Sequence, residues 1–559
     1  MKRHPEPLPL EDIRAYHQGS KHRPERYSPG PGYMDWETQP EPFRCFEGAP
    51  GLPLPLGGEE PCVDFATLWK GEKIAPRALT RQSLGKFLEL SLGLSAWKQY
   101  LEVRWSLRCN PSSGNLHPTE TYLLLGEGLT EEGGGLFHYR VDQHLLERRW
   151  QPDPGSASLM EGLLGRQAFL LGFSSVFWRE AWKYGERAFR YCQLDTGHAL
   201  GAVMVAAALF GWRVRMMTDV GDRLLGQLLG LERNGDFVAD EEEHPDLLLL
   251  VEAGPMPVSL QGWELKELSK GLNRGRWFGE AVPLSQRHQH QWPVIAQAAH
   301  LSERPGGGEL PACDPLPLAE RPSWAAKTIG GLCSDLIRQR RSAQRYDDQG
   351  VVGRESFYRM AEWLMPRRGF PFEPPAWPWR AAVHAVFMVH RVEGLAPGLY
   401  LLCRQEEVKE TLERRFKRGF RWSVPPECPP ELPLFCLSTE EELTEKARFL
   451  SCHQDIAADA SFSLGFLSEF ERVLDEMGSW GYRRLFWEAG LLGQMLYLGA
   501  EAEGFRGCGI GCYFDDLFHE MLGLKDSTFQ SMYHFTVGLP VIDRRLMTLA
   551  PYAHLGERP

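Results

Sequence analysis

The chain has 559 residues, enough for two to four domains. With 43% hydrophobic and 24% charged residues, its composition is that of a globular protein. A formal net charge of -12 excludes a general nucleic-acid binder, which needs clustered Lys and Arg, and no apolar run is long enough to span a bilayer.

The opening segment, MKRHPEPLPLEDIRAYHQGSKHRPERY, carries no apolar core of the signal-peptide kind, so the expected location is cytoplasmic. Residues 1–60 mix Pro, Gly, aromatics and charge and read as an extended arm. The aromatics of GYMDWETQPEPFRCF predict that the arm docks on a domain, since free disordered segments lack such residues. Residues 61–255 then show a helical pattern (RQSLGKFLELSLGL), a strand-like run (TYLLLGE), a long helix rich in small residues (DTGHALGAVMVAAALFGW) and a closing strand (DLLLLVEAG). Residues 256–327, with QRHQHQW and ERPGGGELPACDPLPLAERP, read as an irregular linker. Residues 328–559 repeat the earlier order with RESFYRMAEWLM, AVFMVHRV, EAGLLGQMLYLGAEAEGF and YHFTVGLP.

Sliding the first half by 293 positions matches the C-terminal parts of the two halves without a gap. Gly185 falls on Gly478, Arg190 on Arg483, Gly197 on Gly490, Gly211 on Gly504 and Asp222 on Asp515. The expected architecture is therefore two tandem α+β domains, each an antiparallel-rich sheet flanked by helices.

Among 12 Cys there is no C-x-x-C pair. Neither Cys508 and Cys512 around GIG nor Cys452 before His453 makes a four-ligand zinc pattern, so no metal site is expected. Three other stretches carry chemistry. IRQRRSAQRYD (337–347) places Arg340, Arg341, Ser342 and Arg345 together, a set of guanidinium forks and a hydroxyl suited to phosphate; a solvated basic helix end is the plainer alternative. RCNPSSGNLHP (108–118) crowds Pro111, Ser112, Ser113 and Asn115 into a turn before a strand. GCGIGC (507–512) offers Gly507, Gly509, Ile510 and Gly511, whose small side chains allow close backbone approach to a ligand; a tight turn is the alternative. No strand precedes that glycine run in the pattern of a dinucleotide fingerprint.

Taken in order, these segments resemble the FMN-dependent nitroreductase superfamily. NPSSGNLHPTETYLL, GLFHYRVDQHLLE and KYGERAFRYCQLDTGHAL are similar in particular to its SagB-type dehydrogenase branch, which includes azoline oxidases. The resemblance implies a dimer-like pair of domains with FMN at their interface. One partner gives R-x-S to the phosphate and the other gives P-S-S to the ring and ribityl side, while the G-I-G segment lies against the reactive edge of the flavin. Arg544 near the C-terminus stands where the family often adds a cation for the phosphate. Lys183 and Tyr184 occupy the positions of the branch's acid/base pair.

The two copies have lost these motifs in complementary fashion. The second keeps R-R-S, where the first has FATLWKGEKIAP (65–76). The first keeps P-S-S-G-N, where the second has PPAWP (374–378), so the turn is not expected to need its hydroxyls merely to form. The first has WRVRMMTD (212–219) opposite the glycine run, and Glu476 and Met477 stand in the second copy at the positions of Lys183 and Tyr184. One complete composite site, and hence one FMN per chain, is expected.

The activity implied is hydride transfer between flavin N5 and a small organic or peptide-derived substrate. No separate dinucleotide domain is visible; NAD(P)H, where used, enters the same pocket, and oxygen is the acceptor in an azoline-type enzyme. An internal pseudo-dimer makes a monomer self-sufficient. The rival is a non-catalytic flavin- or peptide-binding scaffold. His117 and His198 read as structural; His453 and Asp455 read as a helix N-terminal cap region, with a place on a substrate pocket as the alternative.

Overall fold

The computed structural model describes residues 10–130, 133–306, 318–326 and 331–556. In the first half the main strands lie in the spatial order Leu145–Gln151, Gly135–Arg140, Thr119–Leu125, Ala168–Val176, Glu243–Glu252, Arg213–Met216. In the second half the order is Leu434–Thr439, Gly398–Leu402, Val383–Val389, Phe462–Ser468, Gln530–Gly538, Arg506–Ile510. The permutation of chain order is the same in both, and every pairing among these strands is antiparallel. Each half is thus one copy of a single α+β fold. Thr119–Leu125 and Val383–Val389 are buried along their whole length because helices cover both sheet faces. That is why YLLL and AVFMV within them do not alternate with exposed polar residues.

The helices Ala188–Leu209 and Gly481–Ala502, 22 residues each, are buried nearly all round and pack on each other. They cross where Gly197 meets Gly490. A methyl group at either glycine would stand 2.9 Å from the Cα of the other, so only glycine allows this approach. Since these are equivalent residues of the repeat, the crossing marks the pseudo-twofold axis. A second symmetric contact is the antiparallel bridge of Asp64 with Leu332, at the starts of helices Phe65–Lys70 and Cys333–Gln339.

Both ends of the chain tie the copies together. The arm begins with the helix Ile13–Gly19, capped by Asp12, on the second copy, where Arg14 pairs with Glu471 at 2.7 Å. It then crosses to the first copy, where Gly51–Pro53 adds a strand beside Leu145–Gln151. In the opposite direction, Met547–Leu549 pairs with Leu94–Tyr100 of the first copy, and Tyr552 accepts from Leu94 N at 2.9 Å. Residues 256–327, irregular by composition, hold the helices Gly262–Ser269 and Pro293–Leu301 and the short strands Arg276–Trp277 and Glu280–Ala281. These elements are too short to signal themselves locally. They form because Arg276–Trp277 docks on Leu145–Gln151 and Glu280–Ala281 on Phe46–Glu47. No helix among the described residues is long and apolar enough to cross a membrane.

Candidate functional site

Between the copies lies a cavity of about 640 Å³, within the range of about 300–1,000 Å³ usual for small-molecule sites. Three of the segments singled out above meet on its wall: Pro111, Ser112, Ser113 and Asn115 from the first copy, Arg340, Arg341 and Ser342 from the second, and Gly509, Ile510 and Gly511, also from the second. Arg345, Gly507, Arg544 and Lys183 are not among the wall residues; Arg345 and Arg544 are exposed.

One end of the cavity is cationic. Arg340 is 3% exposed. Its Nη2 donates to Arg108 O at 2.8 Å, and its Nε has no hydrogen-bond partner. The buried Arg108 likewise leaves Nε unpaired. Burial lowers the pKa of both guanidinium groups, bringing Arg108 to about 10; Arg341 also falls to about 10, through burial and then the neighbouring Arg340. Lys98 and Arg506 complete this wall. Buried guanidinium donors without partners are costly unless an anion meets them, so this end suits a phosphate-like group. Ser342 Oγ lies 2.8 Å from Tyr497 OH.

The 111–115 loop is held by its own side chains. Ser112 Oγ accepts from His117 N at 2.8 Å, and Asn115 Nδ2 donates to Ser106 O at 3.0 Å. Gly114, Asn115 and His117 all have positive φ, of 59°, 61° and 52°, a strained run that these bonds stabilise. Ser112 and Asn115 therefore do build the turn in this copy, contrary to the expectation drawn from PPAWP. Ser113 is tied elsewhere: its N and Oγ both donate to Asp195 Oδ1 at 3.1 Å.

Behind this loop stands the end of the helix Phe177–Tyr184. A side chain at Gly114 would meet Tyr184 OH at 2.6 Å and Lys183 Nζ at 3.2 Å, so the loop closes directly over both. Tyr184 reaches the cavity wall, and burial raises its phenol well above the ordinary range. Asp195, also on the wall, is pushed up to about 7 by burial, which outweighs the bonds from Ser112 and Ser113. Glu180 lies fully buried with neither carboxyl oxygen bonded; burial and then Asp195 raise it.

The glycine run is not a turn but the edge strand Arg506–Ile510, paired with Gln530–Gly538. Its glycines make room chiefly for rings: a Cβ at Gly509 would meet Tyr533, and one at Gly511 would meet Tyr191. Gly509 N already donates to Tyr497 OH at 2.9 Å, so this N–H is not free for a ligand. The structure also brings to the wall residues not singled out for a role in the sequence: Arg108, Tyr191, Asp195, Tyr497, and Tyr27 from the arm. Arg108, Tyr191 and Asp195 lie within stretches quoted above, and the repeat sets Tyr191 and Asp195 opposite Arg484 and Glu488. His117 and His198, read as structural, line the cavity; burial pushes His198 down to about 3, so it is a neutral hydrogen-bonding group there. His453 and Asp455 do not line it, but Cys452 and Gln454 beside them do.

At the pseudo-equivalent position in the other half the space is filled. Pro375 of PPAWP accepts directly from Met216 N at 3.1 Å, closing the gap between loop and edge strand. Trp377 and Trp379 pack at 5.0 Å, and Arg484 lies over both rings. Glu488 pairs with Arg484 at 3.2 Å and Arg404 at 2.5 Å. The crevice beside these Trp residues holds only about 20 Å³.

The family described as the Nitroreductase family matches residues 75–239 and 337–539, well over half of the chain. The chain belongs to the nitroreductase family. A structure from Anabaena variabilis ATCC 29413, solved as a candidate nitroreductase, is similar over 95% of this chain and 100% of its own, with TM-score 0.65 and 20% identity, which speaks for the fold. The trifolitoxin-processing protein TfxB of Rhizobium leguminosarum bv. trifolii is 27% identical over 130 residues, 22% of this chain. That match spans about a third of the curated relative's length (35%). A nitroreductase-like structure in complex with FMN from Exiguobacterium sibiricum 255-15 aligns with 37% of this chain at 12% identity and TM-score 0.24.

Proposed function

We propose that the chain is an FMN-dependent oxidoreductase of the SagB-type dehydrogenase kind, with one flavin per chain in the composite cavity and a small organic or peptide-derived substrate. The observation that carries this reading is the cavity wall itself. Arg340, Arg341 and Ser342 of one copy face Pro111, Ser112, Ser113 and Asn115 of the other across about 640 Å³, and two buried guanidinium Nε groups there lack partners. These residues fit a phosphate-bearing cofactor. Arg340, Arg341 and Ser342 would hold the phosphate, and the 111–115 loop with Ile510 and Gly511 would hold the remainder. When bound, the flavin supplies two-electron hydride exchange at its N5.

The chain's own residues do the rest. Lys183 takes or returns the substrate proton beside Gly114. Tyr184, kept protonated by burial, donates a hydrogen bond. The arm and the C-terminal segment cover the cavity and limit its water. NAD(P)H or oxygen exchanges electrons through the same opening. The relative named for trifolitoxin processing supports a peptide-derived substrate.

The test is the spectrum of the purified protein. A yellow chain, or a colourless one that reconstitutes with FMN, agrees with the reading. A chain that never binds FMN leaves the rival, a non-catalytic peptide-binding scaffold on the same fold. A chain that binds FMN yet turns over no acceptor leaves a non-catalytic flavin binder.

A further inference from the structure

Two thiols sit on the cavity wall outside the machinery just described. Cys452 and Cys512 both line it, close enough for each to shift the ionisation of the other. They come from different segments that the fold pins side by side. Gln454 Nε2 donates to Cys512 O at 3.0 Å, and Phe514 N donates to Leu450 O at 2.8 Å. Cys452 and His453 are held at φ 53° and 61°, a left-handed pair that is costly for residues with side chains.

A third group reaches the pair from the arm. His22 stands near Cys512 and is one of the groups that lower its thiol. Its Nδ1 accepts from Ser28 N at 2.9 Å, which fixes the neutral tautomer with the proton on Nε2. Arg187, whose guanidinium donates to Gly511 O at 3.1 and 3.2 Å, adds positive charge next to the same sulfur. Together with the neighbouring Cys452 these groups hold the Cys512 thiol down at about 5, while the Cys452 thiol is held up. A thiolate beside a protonated thiol is the arrangement of an attacking and a resolving cysteine. Among the described residues no group of three or more His, Cys, Asp or Glu has the geometry to hold a metal ion. The equivalent positions of the first copy are Leu159 and Asp219, so the pair belongs to the open site alone.

We infer that Cys512 and Cys452 form a redox-active dithiol, open to the cavity, that reduces hydroperoxides and closes to a disulfide. The Cys512 thiolate attacks the outer peroxide oxygen. The O–O bond breaks, the alcohol or water leaves with a proton, and Cys512 becomes a sulfenic acid. Cys452 then attacks that sulfur, gives up its proton, and the hydroxyl leaves as water. Two thiols and one ROOH thus give one disulfide, ROH and H₂O, and a small-molecule dithiol restores the pair. The inference does not depend on the flavin reading, because the groups it uses do not hold the phosphate or the proton of the proposed substrate.

The experiment treats the full-length chain with a slight excess of hydrogen peroxide and maps its peptides without reduction. The expected result is a 452–512 disulfide that disappears with dithiothreitol. In Cys452→Ser, a dimedone adduct is expected at position 512 instead. In the untreated chain, alkylation at pH 6 labels Cys512 ahead of the exposed Cys62. The proposal is overturned if peroxide gives no 452–512 linkage and Cys62 is labelled first. Both readouts on the unmutated chain stand even if a variant fails to fold.

Discussion

The two interfaces related by the Gly197–Gly490 crossing have the same backbone and opposite contents. At one, Tyr191 and Asp195 of the first central helix look into a cavity of about 640 Å³. At the other, the residues one repeat further on, Arg484 and Glu488, form an ion pair beneath Trp377 and Trp379, and about 20 Å³ is left. A fold that needs two copies to bury its long helices keeps both copies, but it does not need both pockets. Once one pocket serves, the other is free to become core. Fewer polar groups and more bulk go together there: PPAWP has rings where the first copy has hydroxyls, and a backbone bond from Met216 N to Pro375 O spans the place of the opening.

The comparison is sharpened first by substituting the same position on each side. Lys183→Ala is expected to slow turnover by about 10²–10⁴-fold with flavin still bound, whereas Glu476→Ala, at the matching position, leaves turnover unchanged in the same assay. Next in size is Trp377→Ala in the filled interface. Removing a ring that is 1% exposed should cost about 3–5 kcal/mol by denaturant unfolding while leaving the flavin content unchanged. A Trp377 variant that took up a second flavin would show the filled side to be a masked site rather than core.

Arg340→Ala comes third. Losing a buried charged donor should weaken flavin binding about ten- to a hundredfold in a fluorescence titration, and Arg340→Lys should recover part of it. Lys73→Ala, in the stretch of the first copy that stands where R-R-S would be, should have no effect. A separate effect, read on stability rather than on binding or turnover, is in the pH dependence. The Asp195 carboxyl sits at about 7 in the folded chain against an ordinary value of 3.8. Between those values the folded state holds a proton that the unfolded state has released, so stability falls as pH rises from about 4 to 7 and then levels off. Asp195→Asn should remove that part of the slope in urea unfolding of flavin-free protein; parallel curves for the two proteins would contradict it.

Much of this pairing was legible in the sequence because a repeat provides its own control. The 293-residue offset set Gly197 opposite Gly490, and the fold brings those two residues into contact. R-R-S, P-S-S-G-N and G-I-G were distinctive enough to be noticed apart, and the chain brings them to one wall. What escaped notice lies where local pattern carries no information. Arg108 ends a hairpin strand, and Tyr497 and Asp195 sit within apolar helices where a single polar residue is easily read as structural. The crossing of the arm and of Met547–Leu549 onto the opposite copy depends on long-range pairing that composition does not encode. The hydrogen bonds by which Ser112 and Asn115 hold their turn are hidden for a related reason: PPAWP closes the matching turn without hydroxyls, so comparing the two copies carries no sign of them.

The most direct test of the central claim is the flavin stoichiometry of the full-length chain after saturation with FMN, read from absorbance against protein concentration. The open and filled interfaces predict one flavin per chain. Two per chain would contradict the account of the filled interface, and none would contradict the reading of the open one.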